Sequence, residues 1–160
     1  DRFGEVAVIQ PNAAWAEASV AMLAQALLDV TGVACVIKNG SGRARGLEGL
    51  PEDMAVLAGR APAGPVPVPM NGAIYMADVM GGQKTGLFLD QRPNHAFVAA
   101  LARGARVLDL FSHVGGFGLA ALAGGAASAL AVDGSAPALA LAGQGAAAMG
   151  MADRFATRQG

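Results

Sequence analysis

From Arg106 onward the chain repeats one local pattern at a spacing that few folds tolerate. An apolar run, Arg106–Phe111, passes through a glycine turn into a helix-length apolar segment, Phe117–Ala123. A second run, Ser128–Asp133, passes through a short polar turn into another such segment, Pro137–Met149. Strands that alternate with helices in this way pair in parallel, and their crossovers are right-handed almost without exception. Alanine fills 14 of the positions 119–148, and side chains that small let helices lie close against a sheet. A membrane span would need roughly 18 uninterrupted apolar residues. The best candidate, 117–132, is broken by Gly118, Gly124 and Gly125. The pattern predicts an α/β fold.

The preceding residues follow a different grammar. Glu5–Gln10 reads as a short strand, and Asn12 as the N-cap of a helix reaching Val30. Trp15, Val20, Leu23, Leu27 and Val30 would give that helix one buried stripe. Gly32 ends it, Val33–Ile37 returns as a strand, and a loop rich in Gly and Arg occupies Asn39–Gly49. Pro62, Pro65, Pro67 and Pro69 confine 61–69 to an edge or a connector. Ile74–Asp78 is a further strand. Residues 1–80 therefore read as a small α+β domain. Residues 81–160 read as a second domain, opening with a helix over Asp90–Arg103 that carries Pro93 in its first turn.

Composition excludes several classes. The apolar fraction of 54% includes 37 alanines, and only 14% of residues are charged, so the chain is lightly decorated rather than greasy. A net charge of −1 provides no broad basic face for nucleic acid within these residues. A single cysteine rules out an internal disulfide framework and a Cys₄ zinc site. Two isolated histidines add no metal-ligand spacing, so no metal is expected. Nothing resembles a signal peptide, which fits a soluble cytoplasmic protein. The chain opens at Asp1 rather than Met, and Arg154–Arg158 reads as a strand that has only begun. A fragment of a longer protein is the expectation. Cys35 is expected to pack as a small hydrophobe, His95 to lie on a helix surface, and Arg43, Arg45 and Arg60 to form a solvated loop face.

The chemistry concentrates in Val107–Gly118. A buried strand runs into a turn containing Gly115, Gly116 and Gly118, and a helix follows at once. Such a turn lets a ligand approach main-chain N–H groups. Asp133 ends the next strand, 24 residues after Asp109, where an acid commonly accepts ribose hydroxyls. The glycines run G-G-x-G, which is not the dinucleotide fingerprint G-x-G-x-x-G. An acid on the first strand disfavours a pyrophosphate and suits a ligand bearing an ammonium group. A nucleoside ligand is expected. A nucleotide-dependent oxidoreductase and a non-catalytic α/β interaction module remain alternatives.

Asp109-Leu-Phe-Ser112, Gly115-Gly-Phe-Gly118, Val132-Asp-Gly-Ser135 and Ala138-Leu139 together resemble motifs I and II of class I S-adenosylmethionine (SAM) methyltransferases. The run Gly82-Gln-Lys-Thr-Gly-Leu-Phe-Leu-Asp-Gln-Arg-Pro-Asn94 resembles the signature of the rRNA large-subunit cytosine-C5 methyltransferase family. Asp1–Glu5, Arg45–Leu50 and Asn71-Gly72 are similar to that family's central domain. The resemblance implies a central domain followed by the first half of a Rossmann-like domain, with SAM as cofactor. It implies large-subunit rRNA as partner of the full-length protein; a homo-oligomer is a further expectation. Gly115, Gly116, Phe117 and Gly118 would wrap the methionine part of SAM, with Asp109 and Ser112 beside it. Asp133 would hold the ribose, and Ser135 would start the following helix. Lys84, Thr85, Phe88, Asp90 and Arg92 would wall the cofactor and the target base. The family usually carries Arg where His95 stands and an acid near Met70. Its nucleophilic cysteine has no counterpart here, so no catalytic residue is expected in this chain, and the isolated chain is expected to be inactive.

Overall fold

The computed structural model describes residues 1–81 and 85–160. The chain divides into two compact units, one of Asp1–Val66 with Asp78–Gly86, the other of Pro67–Ala77 with Leu87–Gly160.

The first unit is built on a four-stranded sheet in the order β1 (Arg2–Phe3), β2 (Val6–Ile9), β3 (Cys35–Gly40), β4 (Asp53–Ala58). β2 and β3 run parallel, with Val6 opposite Cys35 and Ile9 opposite Lys38; the other pairings are antiparallel. The parallel pair needs a crossover, and α1 (Ala14–Ala18) and α2 (Val20–Thr31) supply it. The sequence predicts one helix here; the structure breaks it at Ser19, whose N–H bonds the carbonyl of Ala16 at 3.2 Å. Asn12 does not cap it either. The N-cap is Ala13, without a side-chain bond, and the Ala14 N–H is taken by the Glu48 carboxylate at 3.2 Å.

The expected buried stripe also fails: Trp15 is 73% and Val30 83% exposed. α2 packs instead through Ala24, which joins Ala7, Val33 and Val36, with Leu27 and Leu28 alongside. Gly32 ends the helix in the left-handed region as expected. Cys35 lies buried in β3, and burial pushes its thiol up.

Arg45, on the short helix α3 (Arg43–Leu47), is fully buried rather than solvated. Its guanidinium donates to the carbonyls of Pro11 and Pro51 and to the carboxylates of Glu17 (2.9 Å) and Asp53 (3.3 Å). Lys38 spans the same two carboxylates at 2.7 and 2.6 Å. Only the planar five-donor fork of arginine can satisfy four acceptors spread this way.

In the second unit, β5 (Val66–Met70) and β6 (Ala73–Ala77) form a two-stranded hairpin. Its turn is Asn71-Gly72, both left-handed, the pair that a two-residue hairpin loop favours. Pro67 and Pro69 sit on the exposed side of β5, as an edge requires. β6 packs against two later helices of this unit, Gly116–Ala123 and Ala136–Ala148.

A 3₁₀ turn (Leu89–Gln91) leads into α4 (Arg92–Leu101), with Pro93 in its first turn. The sheet that follows contains β7 (Arg106–Leu110), β8 (Ser128–Asp133) and β9 (Phe155–Gln159), all parallel and in that order. α5 (Gly116–Ala123) and α6 (Ala136–Ala148) are the intervening helices. They cover the face that carries Val107, Asp109, Ala129 and Phe155. The opposite face carries Leu108 and Leu110, which are 59% and 55% exposed.

The alanine and glycine content has a direct cause. A Cβ on Gly124 would lie 2.0 Å from the carbonyl oxygen of Ala99 in α4, and one on Gly145 would lie 2.7 Å from that of Ile74 in β6. Backbones touch at these positions, and no side chain fits. Among the described residues no helix is long and apolar enough to cross a membrane.

Candidate functional site

The C-terminal ends of β7 and β8 bring the predicted motifs together. After Leu110 the backbone turns sharply. Phe111 (φ 55°) and His113 (φ 51°) are left-handed without being glycine, and Gly115 (φ 74°) follows. Such conformations are uncommon for non-glycine residues and persist only where surrounding bonds fix them. Here the Ser112 N–H donates to the Val132 carbonyl at 3.1 Å, and the Ser112 carbonyl accepts from Gly115 at 2.8 Å and Gly116 at 3.3 Å.

Two carboxylates organise the turn. Asp109 is buried, and one of its oxygens accepts the Gly118 N–H at 2.8 Å. Asp109 therefore satisfies one of the orphan amides at the start of α5 from within the strand. Burial pushes its carboxyl up, and the charge of Asp133 pushes the same way, against the backbone N–H groups of Gly118 and Phe117. Asp133, at the tip of β8, is half-buried. Its two oxygens each accept one amide at 2.8 Å, from Ser135 and from His113. The Ser135 amide is the largest cause holding this carboxyl below the usual range. An ionised carboxylate offers about four acceptor positions, so these two bonds leave capacity for hydroxyl donors. Ser135 caps α6, its hydroxyl accepting from the Ala138 N–H at 3.3 Å.

The glycines of the turn are fixed by what lies beneath them. A Cβ on Gly115 would meet Ala142 at 3.0 Å and Phe155 at 3.1 Å. On Gly118 it would stand 3.2 Å from Phe155 and 3.4 Å from the Asp109 carboxylate, and on Gly116 2.7 Å from His95 Nε2. Each glycine thus has a packing reason inside the protein, separate from any ligand above the turn.

His95 is the main correction to the sequence reading. It is buried, stacked on Tyr75 at 5.8 Å between ring centroids and edge-on to Phe117 at 4.7 Å. The signal was present: His95, Val98, Ala99 and Ala102 share the i, i+3, i+4, i+7 stripe of α4. Tyr75, which no motif flags, donates its hydroxyl to the Gly116 carbonyl at 3.2 Å.

The remaining candidates divide. Phe88 lies edge-on to His113, centroids 5.1 Å apart, and so reaches the turn. Asp90 and Arg92 are exposed around the start of α4, and the Arg92 carbonyl accepts from Asn71 at 2.7 Å. Thr85 falls in the first unit, where it is buried and its hydroxyl donates to the Asp1 carboxylate. Lys84 lies outside the described residues. Two polar atoms are buried without a partner among the described residues, Ser112 Oγ and His95 Nδ1. No three His, Cys, Asp or Glu side chains gather to hold a metal there.

A glycine turn after β7 and a clamped acid after β8 give this α/β unit the geometry expected for a nucleoside ligand. Residues 52–148 match the family described as S-adenosylmethionine-dependent methyltransferase; the chain belongs to this family, whose cofactor is SAM. More particularly, it is 36% identical over 126 residues to ribosomal RNA large subunit methyltransferase I of Aeromonas salmonicida, covering 79% of this chain and 32% of that protein. The namesake from Vibrio vulnificus is 37% identical over the same length, with the same coverage. The chain thus spans about a third of these curated relatives. Two solved structures share the fold. A methyltransferase crystallised with S-adenosylhomocysteine superposes with a TM-score of 0.79 at 23% identity, over 97% of this chain and 39% of that one. A tRNA methyltransferase from M. jannaschii gives 0.75 at 15% identity, over 97% and 44%. The residues present fit SAM in two respects: Asp133 keeps acceptor capacity beside the turn, and Ser112 Oγ is an unpartnered buried hydroxyl within it.

Proposed function

We propose that this chain is the cofactor-binding part of a cytoplasmic SAM-dependent methyltransferase that modifies large-subunit ribosomal RNA at C5 of a cytosine. The clamped carboxylate of Asp133 carries the reading. Held ionised and in a fixed plane by the His113 and Ser135 amides, it accepts the ribose hydroxyls. The turn Gly115-Gly116-Phe117-Gly118 borders the methionine part, with Ser112 Oγ beside it, while Asp109 holds the turn from below. Phe88, against the turn, with Asp90 and Arg92 at the start of α4, borders the cofactor and the target base, whereas Thr85, tied to Asp1 in the first unit, is left out of this wall. When bound, SAM supplies an electrophilic methyl group.

The RNA assignment is supported by the names of the relatives and by the 82–94 run. Methylation at C5 calls for a cysteine thiolate that adds to C6 of a base presented outside its stack. Cys35 is the sole cysteine of the chain. It is 2% exposed with its thiol pushed up, so it does not serve as that nucleophile.

Calorimetry tests the site. Replacing Asp133 by Ala should weaken SAM by about 1.5–3 kcal/mol, the range for hydrogen bonds to a charged group, toward the lower end because the carboxylate is only half-buried. Methionine, lacking ribose, should bind the variant as it binds the wild type. Equal losses for both ligands would refute the ribose assignment. With tritiated SAM and unmodified large-subunit rRNA, the 160-residue chain should leave the RNA unlabelled. Label that persists in Cys35→Ala would show that the chemistry resides elsewhere in these residues.

A further inference from the structure

The buried imidazole beneath the glycine turn has no role in the cofactor contacts proposed above. Its ring touches Gly116 so closely that a Cβ there would lie 2.7 Å from Nε2 and 3.0 Å from Cε1. Tyr75 closes one face of the ring and Phe117 presents its edge on another side. The Tyr75 hydroxyl, in turn, holds the Gly116 carbonyl. Three rings on three elements, β6, α4 and α5, thus set the height of the first residues of α5.

We propose that His95 is a positioning residue for the cofactor turn: as a neutral ring it holds Gly116 and Phe117 in place, and its protonation loosens the turn and weakens SAM binding. The inference rests on the reading of this turn as the SAM site.

The asymmetry between the two protonation states follows from the cage. A neutral imidazole has one donor and one acceptor, whereas the imidazolium has two donors that both need acceptors. Nδ1 has no partner among the described residues, and an unpaired buried charge costs far more than an unpaired neutral acceptor. The groups that face the ring do not change this. α5 offers Phe117 and the Gly116 backbone, neither of them charged. β6 offers Tyr75, whose phenol burial keeps protonated. The 3₁₀ turn before α4 brings Asp90, which favours the charged ring, but burial outweighs it and holds His95 below its ordinary value. The sign is then fixed. The closed turn is fully favoured above the ordinary histidine value of about 6.5, and that preference declines as pH falls through it toward the lower value of the closed state.

The test is SAM calorimetry on the whole chain between pH 8 and pH 5.5, beside an NMR titration of its two histidines. An opened turn whose His95 titrates normally gains up to about tenfold over the closed one by pH 5.5. SAM affinity should therefore fall by up to that factor, with the amide of Gly116 following the His95 titration. His113 also sits at the turn, and burial lowers its value too. His113→Asn, a residue that tolerates its left-handed φ, should keep the acid limb that His95 produces. His95→Phe restores a ring that cannot be protonated, so SAM should bind at pH 8 and the limb should vanish. His95→Gln, also uncharged, serves if the larger ring does not fold. His95→Ala should weaken SAM at pH 8 about fivefold or more, as expected for loss of two aromatic contacts. An acid limb unchanged in His95→Phe or His95→Gln, or full affinity in a folded His95→Ala, would overturn the positioning role alone. Absence of SAM binding to the wild type at every pH would overturn the cofactor reading, and this inference with it.

Discussion

Gly124 and Gly143 invite the same substitution, to alanine, with opposite outcomes. Gly124 closes α5 with an ordinary φ of −75°, so alanine is not strained there by its backbone. The obstacle is α4. The new Cβ would lie 2.0 Å from the Ala99 carbonyl oxygen, 2.7 Å from its carbon and 2.9 Å from its Cα. These are backbone atoms and cannot rotate away. Ordinary contact begins at 3.4 Å, so the helices must part by roughly 1.4 Å, and close-packed interiors resist such parting. Parting them opens the cluster of Ala102, Ala121, Leu122, Ala126 and Ala129. The upper end of the overpacking range, about 3 kcal/mol, less the roughly 0.5–1 kcal/mol gained by replacing a glycine, gives a net loss of about 2–2.5 kcal/mol.

Gly143 lies inside α6 with nothing within 4 Å of its Cβ position. Alanine there should stabilise by about 0.5–1 kcal/mol through helix propensity alone. At roughly 2–4 °C per kcal/mol for a chain of this size, Gly124→Ala should melt about 4–10 °C below the wild type and Gly143→Ala slightly above it. Circular dichroism melts measure both. A Gly124→Ala protein that melts at or above the wild type would refute the backbone contact between α4 and α5.

Two further outcomes follow from the first unit. Arg45→Ala should cost about 3–5 kcal/mol in urea denaturation, the range for breaking a buried ion pair, and Arg45→Lys should not restore it, because an ammonium cannot reach the carbonyls of Pro11 and Pro51 together with both carboxylates; full stability in Arg45→Lys would contradict that geometry. Cys35 should resist a thiol reagent at pH 8 in the native protein and react at once in guanidinium, since its thiol is buried and pushed up; rapid native labelling would show that β3 opens.

The parts of this protein legible in its sequence are those that local pattern governs. β8 occupies the expected Ser128–Asp133, α6 is displaced from expectation by one residue, and of the prolines of 61–69, Pro67 and Pro69 lie on a hairpin strand while Pro62 and Pro65 precede it. The glycine turn and the acid after β8 also meet as the motifs suggested. What the sequence hid depends on partners distant in the chain. Arg45 looked solvated because Glu17, Asp53 and the carbonyl of Pro11 are remote until the sheet forms. The helix break at Ser19 has no glycine or proline to announce it, and the cap on Ala14 comes from Glu48. The expected stripe of Trp15 and Val30 assumed that the largest apolar residues face inward. α2 instead approaches its sheet through Ala24, because a small side chain permits the nearer approach. His95 reads as a surface residue by type, although its helical phase with Val98 and Ala102 places it inside.

The two amides that grip Asp133 belong to different segments, the turn after β7 and the start of α6. A surface carboxylate samples several rotamers and must surrender that freedom when a ligand arrives, commonly at about 0.5–1.5 kcal/mol per immobilised side chain. Folding has already removed it here. On the proposed reading the acid would meet its ligand as a fixed template, and encounter would not wait for a side-chain rearrangement. The same grip couples two neighbouring loops into one rigid rim, and a ligand held by Asp133 stiffens both at once. Amide exchange at His113 and Ser135 should therefore slow together, by a common factor, as the site fills.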